Sequence, residues 1–365
     1  MEHRCSVLNV PWSGDPLLRT RHPWKPGRFS LPLILLVAAV WLGVGWRSST
    51  LGQDSPPSLK RTTLERLQPA HLKATHEDVL KIQSKRRVLA PKAGWNDYRA
   101  ILHAHAEDSA HTGGTRPEML AEAKKADVHV IVLSDHYRPP RDFVAESWRG
   151  LRDGVLFLPG SETRGFLIAP TGSIMDRMNL PVPEFIQAVK ANGGLIFLSH
   201  VEERPDHAMD GLDGQEITNR HHDAKIDKAG LLALMLKLTD PNALKELEDS
   251  IRLYPDEIFG FELDYPTVYL AKWDRETKTR RLTGIAANDC HHNQILLVKM
   301  VDESTVLIGT NVDRDDQMTS VKALLRPGIR RMTQGHTPGD VLARVDLDPY
   351  HRAFRNVSTH LLAPS

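Results

Sequence analysis

Leu102-His103-Ala104-His105, running on through Glu107, Asp108 and Ser109 to His111, is the stretch on which the reading of this chain turns. It closes an apolar run that begins at Tyr98 and follows a long polar segment. Side chains two apart on a strand share a face. A strand here therefore points His103 and His105 the same way, and His111 can return to them from the loop. A lone His-x-His is common without any bound metal, but four further apolar runs in this chain also end in a metal-ligand residue type.

Those runs alternate with helical segments. Thr115 caps a helix with Pro117 in its first turn, extending to about Ala126. His129 to Leu133 is a short strand leading to Ser134-Asp135-His136, and Arg141 to Leu151 reads as a helix. Val155 to Leu158 leads to Glu162, a helix spans Pro183 to Ala191, and Gly194 to Leu198 leads to His200. Gly214 to Asn219 is a further strand with His221-His222 just beyond, followed by helices near Asp227–Lys237 and Asn242–Ser250. The last unit, Arg281 to Ala287, ends in Asn288-Asp289-Cys290-His291. Continuous apolar strands alternating with helices predict an α/β fold with a mostly parallel, helix-covered sheet. In a barrel of that class the active site lies at the strand C-termini, where these polar residues collect.

Imidazoles and carboxylates are ligands for zinc, iron or manganese. The set is His103, His105, His111, His136, Glu162, His200, Asp289 and His291, with one of His221 or His222. Any one of these histidines, taken alone, reads equally well as an ordinary core or surface residue. Their shared place at strand ends argues for a common centre. A catalytic mononuclear zinc needs three protein ligands, so this many predict two or three ions, with Glu162 or Asp289 bridging.

The segments His103-Ala-His105 with His111, Leu133-Ser-Asp135-His136, Gly160-Ser-Glu162, Leu198-Ser-His200, Gln215-Glu216-Ile-Thr-Asn219 and Asn288-Asp289-Cys-His291 resemble the polymerase and histidinol phosphatase (PHP) family of metal-dependent hydrolases. The resemblance covers about Tyr98 to Lys299. It implies a distorted (β/α)7-type barrel and a site of up to three zinc, manganese or iron ions. The first ion would then lie on His103, His105, Glu162 and Asp289. The second would lie on Glu162 and His200 with His221 or His222, and the third on His111, His136 and His291. His111 stands where the family's common opening has an aspartate, and Asp108 competes with it for that role. Leu158-Pro-Gly-Ser-Glu162-Thr-Arg-Gly and Tyr269-Leu-Ala-Lys-Trp273-Asp274 further resemble the extracytoplasmic, carbaryl-hydrolase-like branch.

At the N-terminus, Phe29 to Trp46 holds 18 uncharged residues, with five Lys or Arg before it. The run suits a membrane anchor or uncleaved signal, with a cleaved signal peptide and a buried helix as competing readings. The expected organisation is a short cytoplasmic tail over 1–28, the membrane segment at 29–46, and linker and surface helices over 47–95. A metallohydrolase domain follows over 96–300, then a C-terminal extension over 301–365 packing on the barrel. The catalytic domain is expected outside the cytoplasm, attached to the membrane, or secreted if the segment is cleaved. In the tail, Thr319 to Leu325 reads as a short helix.

The predicted activity is that of a metal-dependent phosphoesterase using a metal-bound hydroxide at a di- or trinuclear centre. Arg138 and Arg164 each follow a ligand by two residues and suit a phosphoryl group, though surface salt bridges account for them equally well. Asp135 is the candidate to orient His136. The alternatives are a hydrolase of a carboxylic ester, amide or carbamate, and a non-catalytic metal- or ligand-binding domain. A small-molecule substrate is expected. Forty-seven basic against 46 acidic residues give no basic excess for nucleic acid, and no phosphate-loop or dinucleotide motif indicates an organic cofactor.

Overall fold

Two helices precede the first strand: α1 (Thr63–Arg66), opened by a capping box between Thr62 and Glu65, and α2 (Pro69–Gln83). The computed structural model describes residues 61–87 and 94–364, all within the unit Leu59–Ser365. Strand β1 (Trp95–Ile101) grows more buried toward the histidines. Helix α3 (Arg116–Lys125) begins at Thr115, whose side chain accepts from the Glu118 backbone while Glu118 reaches back. Then come β2 (Val130–Leu133), β3 (Gly150–Arg152), β4 (Val155–Pro159), β5 (Ser161–Thr163) and β6 (Phe166–Ala169). After α4 (Val182–Ala191) follow β7 (Leu195–Leu198) and β8 (Gly214–Asn219). The helical stretch comprises α5 (Arg220–Ile226), α6 (Lys228–Lys237), α7 (Pro241–Leu253), α8 (Pro255–Phe259) and α9 (Thr267–Glu276). The chain then runs through β9 (Thr283–Ala287), β10 (Ile295–Asp302), β11 (Thr305–Thr310), β12 (Thr319–Lys322), α10 (Ile329–Thr333), β13 (Val341–Asp346), α11 (Tyr350–Asn356) and β14 (Thr359–Pro364).

The strands form three sheets, ordered β14-β1-β2-β4-β3, β5-β6-β7-β8-β9 and β12-β11-β10-β13. The fold is α/β, but the expected seven-stranded barrel does not close. The reason lies in two hairpins that interrupt the parallel alternation. Asp153-Gly154, at φ +46° and +90°, folds β3 back onto β4, and Arg164-Gly165, at φ +55° and +86°, folds β6 back onto β5. Two positive-φ residues suit the right-handed twist of a tight hairpin. Each hairpin ends a parallel ladder where a barrel would need another parallel neighbour. The two five-stranded sheets meet instead through single bridges at strand ends, Ala104 with Cys290 and His136 with Glu162.

Two helix expectations are also corrected. Arg141 to Arg149 is turn and irregular chain and Gly150–Leu151 opens β3: the Asp142 carboxylate accepts from the backbone of Val144 and Ala145, offering that backbone a partner other than a helix. Thr319–Lys322 pairs antiparallel with β11, with Val321 buried between exposed neighbours, which is the period of a strand.

The membrane segment expected at 29–46 lies outside the described residues. Among the described residues no helix is long and apolar enough to cross a membrane. No described helix therefore supports the expected anchor, the membrane partner or the extracytoplasmic localisation built on it.

Apolar packing holds the sheets in place. Ile101, Ile131 and Phe157 of the first sheet pack with Met119 of α3 and with Tyr350 and Phe354 of α11. Phe166 and Ile196 of the second pack on Phe185 of α4. Leu234 and Leu247 from α6 and α7 pack with Val298 and Val306 of the third. Each such buried side chain contributes about 1.5–3 kcal/mol relative to exposure. The result is a firm floor beneath the strand ends, where the polar residues gather.

Candidate metal centre

β1 ends just before His103 and His105, and both rings are fully buried. Asp289 follows β9 and Glu162 lies in β5, so the bridges between the sheets bring the four together. His103 Nε2 is 3.1 Å from His105 Nε2, 3.5 Å from Glu162 Oε2 and 3.2 Å from Asp289 Oδ1. His105 Nε2 is 3.6 Å from Glu162 Oε2 and 3.3 Å from Asp289 Oδ1. Four atoms held about 2.0–2.2 Å from a zinc ion in a tetrahedron stand about 3.3–3.6 Å apart. Three of the five separations fall within that range and the other two are 0.1–0.2 Å short of it.

The second oxygen of each carboxylate faces another imidazole. His200 Nε2 is 3.0 Å from Glu162 Oε1 and 3.4 Å from Asp289 Oδ2. A third grouping joins His105, His136 and His291, with ligand atoms all within 4.8 Å of one another. The exposed ring of His111 lies 4.9 Å from that of His136 and 4.8 Å from that of His291, at the rim. His221 is buried with its ring 4.6 Å from His291, whereas His222 turns its Nδ1 to Glu202 Oε1 at 2.9 Å.

What aims the imidazoles is a set of acceptors on their other nitrogen. His103 Nδ1 is 2.6 Å from Glu216 Oε1, and His200 Nδ1 is 3.0 Å from Glu202 Oε1. Asp108 Oδ2 serves both His105 Nδ1 at 3.2 Å and His136 Nδ1 at 2.5 Å. His291 Nδ1 is 2.9 Å from the backbone carbonyl of Asp289. In all five rings Nδ1 is held and Nε2 is left for the centre, the arrangement by which outer partners fix the tautomer of a metal-bound histidine. His291 Nε2 and Asp289 Oδ1 are buried with no hydrogen-bond partner. A buried polar atom without a partner is costly; a divalent cation would supply one for both, so the donor set fits a metal.

Backbone strain marks the same residues. His200 and Asp289 both sit at φ +46°, a region costly for side chains other than glycine. The His200 amide is held by Glu216 Oε2 at 2.8 Å, and Asn219 Nδ2 donates to Asp289 Oδ2 at 3.1 Å. Strain at such positions persists where the surroundings over-determine it.

The electrostatics are those of a dense, self-compensating cluster. Burial works against charge on His103, but the carboxylates of Asp289, Glu162 and Glu216 raise its pKa to about 10. For His200 burial is likewise outweighed, by Glu162 and Glu202, and the value rises to about 12. Burial would raise Glu162, yet the charge of His103 and its hydrogen bond bring it well below the carboxylate range. His291 is pushed far down by burial and by His105, which leaves its Nε2 lone pair free of a proton.

The other predicted residues fall differently. Asp135 is buried and paired with the Arg116 guanidinium, and its Oδ1 accepts from the Ala106 backbone at 3.2 Å. The acceptor on His136 is Asp108. Arg138 is exposed and does not line the cleft above the histidines. Arg164 does line it, but its Nη1 donates to the carbonyls of Met178 at 3.1 Å and Leu180 at 2.7 Å. Sequence reasoning missed Asp108, Glu202 and Glu216 as orienting residues. Glu216 left one trace: a carboxylate inside a strand whose neighbours are buried must have a partner.

No family model and no curated protein matches the chain. Among solved structures it is similar to a two-domain protein from Bacteroides vulgatus containing a predicted PHP-like metal-dependent phosphoesterase. That likeness has 14% identity and a TM-score of 0.31, over 68% of this chain and 74% of the other. It is also similar to PsfC from Pseudomonas syringae, at 11% identity and a TM-score of 0.32, over 65% of this chain and 96% of that one. Both likenesses are distant, and neither selects a branch of the family. What the residues themselves define is an α/β protein with clustered His, Asp and Glu side chains suited to divalent metal ions.

Proposed function

We propose that the protein is a metal-dependent hydrolase of the PHP type that cleaves small phosphate esters. One observation carries the reading: Glu162 and Asp289 each turn one oxygen to the His103–His105 pair and the other to His200. Carboxylates shared in this way suit two adjacent ions. Bound ions of this kind activate water near neutral pH and neutralise charge on a phosphoryl group.

The chain's own residues do the rest. Asp108, Glu202 and Glu216 hold the rings in register before substrate arrives. The cleft, of about 230 Å³, admits a small group, and its lining carries imidazoles, carboxylates and the guanidinium side chains of Arg164 and Arg204. It presents no aliphatic or aromatic hydrocarbon wall. Pockets for apolar leaving groups are lined mainly by such side chains, so this cleft favours a charged phosphoryl group over an aryl carbamate or ester.

The test is a substrate screen on the full chain reconstituted separately with Zn, Mn and Fe(II). Phosphomonoesters, phosphodiesters, carboxylic esters and carbamates are compared at equal concentration. Turnover of phosphate esters is expected; turnover confined to carboxyl-type substrates overturns the proposal.

A further inference from the structure

The cleft needs a cation for the substrate's anionic oxygens, and Arg164, the one of the two arginines signalled by the sequence that lines it, has Nη1 engaged by two carbonyls and its guanidinium 4.9 Å over the Phe185 ring. Arg204 differs. It follows the 3-10 turn Val201–Glu203 that leaves His200, and it lines the same cleft. Its buried Nη1 is ion-paired with the exposed carboxylate of Glu203, whose Oε2 lies 3.1 Å away. A pair whose carboxylate is solvent-exposed is worth little, so a phosphoryl group can compete with Glu203 for the guanidinium.

The surroundings keep that guanidinium where it is. It lies against Gly165 of the β5–β6 turn: a Cβ there would stand 2.4 Å from Nε and 2.8 Å from Cδ and Cζ. Gly165 at φ +86° thus serves both the turn and the close approach of the arginine. From behind, α9 clamps the loop that carries Arg204. Lys272 Nζ donates to the carbonyls of Pro205 at 3.1 Å and His207 at 2.6 Å, and Arg275 Nη2 donates to Pro205 at 2.9 Å. A guanidinium so placed, beside the carboxylates and imidazoles of the cleft, matches the oxygens of a phosphoryl group better than any single point charge.

We propose that Arg204 is the anion-binding, specificity-determining residue of the cleft, taking the non-bridging oxygens of a phosphate monoester. This rests on the phosphoesterase reading for the substrate's identity, but the anion subsite itself can be tested apart from turnover. The probe is inorganic phosphate, titrated calorimetrically into the zinc-reconstituted full chain, with zinc content measured on every sample. Arg204→Met should weaken phosphate binding by roughly 10–100-fold, the loss of a charged hydrogen bond, with zinc content unchanged. Arg204→Lys should recover only part of it. Gly165→Ala should weaken binding in the same direction by crowding the guanidinium, and Arg164→Met should change it far less. KM for a phosphomonoester should rise by the same factor as the phosphate Kd. Phosphate affinity within twofold of wild type in Arg204→Met and Arg204→Lys, or no phosphate binding by the wild type, overturns the subsite. If phosphate esters are turned over equally well by both variants, the subsite falls and the phosphoesterase reading stands. If phosphate binding depends on Arg204 but no phosphate ester is hydrolysed, the reading falls and the subsite stands.

Discussion

Replacing Glu216 with Gln isolates the support of the centre from the centre itself. Glu216 is fully buried and uses both oxygens: Oε1 on His103 Nδ1 at 2.6 Å and Oε2 on the backbone amide of His200 at 2.8 Å. Both partners are donors, so a carboxylate satisfies them and an amide cannot. Whichever way the Gln side chain turns, its oxygen meets one N–H and its NH2 opposes the other. At least one hydrogen bond to a charged group is lost, about 1.5–3 kcal/mol. At 1.4 kcal/mol per tenfold, that is roughly 10–100-fold in affinity, the range typical for loss of an orienting partner of a metal ligand. The assay is a zinc titration against a competing chelator at fixed pH, with circular dichroism confirming that the isosteric variant is folded. Zinc affinity within twofold of wild type in a folded variant would refute the assignment of Glu216 as the residue that aims His103 and fixes the turn at His200.

Glu162→Gln should be worse, exceeding roughly 100-fold in metal affinity, because its oxygens lie within 3.0–3.6 Å of His103, His105, His136 and His200; unchanged metal content by elemental analysis would remove it from the centre. His111→Ala should cost at most one ion of those bound, since His111 is exposed at the rim, and the same analysis reads the stoichiometry. In the metal-free protein His103 and His105 are raised to about 10 and about 9 from 6.5. Their contribution to stability is therefore complete below about 6.5 and is lost as pH climbs through 9–10. Metal-free thermal melts should fall over that alkaline window while chelatable metal affinity rises with pH, because protons and cations compete for the same nitrogens; a metal-free melting temperature flat from pH 6 to 10 would count against the cluster's electrostatics.

Much of the centre could be read from residue types at strand ends. His103 and His105 share a face because a strand repeats every two residues, and Thr115 with Glu118 announced α3. The orienting carboxylates could not be read the same way. Glu216 meets His103 across the two sheets and Asp108 meets His136 at the end of the neighbouring strand, and nothing in a local pattern says which buried acid meets which imidazole. Barrel closure failed at Asp153-Gly154 and Arg164-Gly165, two hairpin turns that the alternation of apolar runs and helical segments does not announce. Arg204 was hidden for a different reason. Its importance depends on Gly165 lying against it, a contact between segments far apart in the chain.

The bridge between Ala104 and Cys290 also has a consequence for how the protein is made. A ribosome delivers the His103–His105 pair early and Asp289 only after nearly the whole domain, while β1 waits for β14 as its outer neighbour. A chain caught half-synthesised offers an ion His103, His105 and Glu162 but lacks His200 and Asp289. The four-residue shell of His103, His105, Glu162 and Asp289 is therefore complete only once Asp289 has been made, late in the synthesis of the domain.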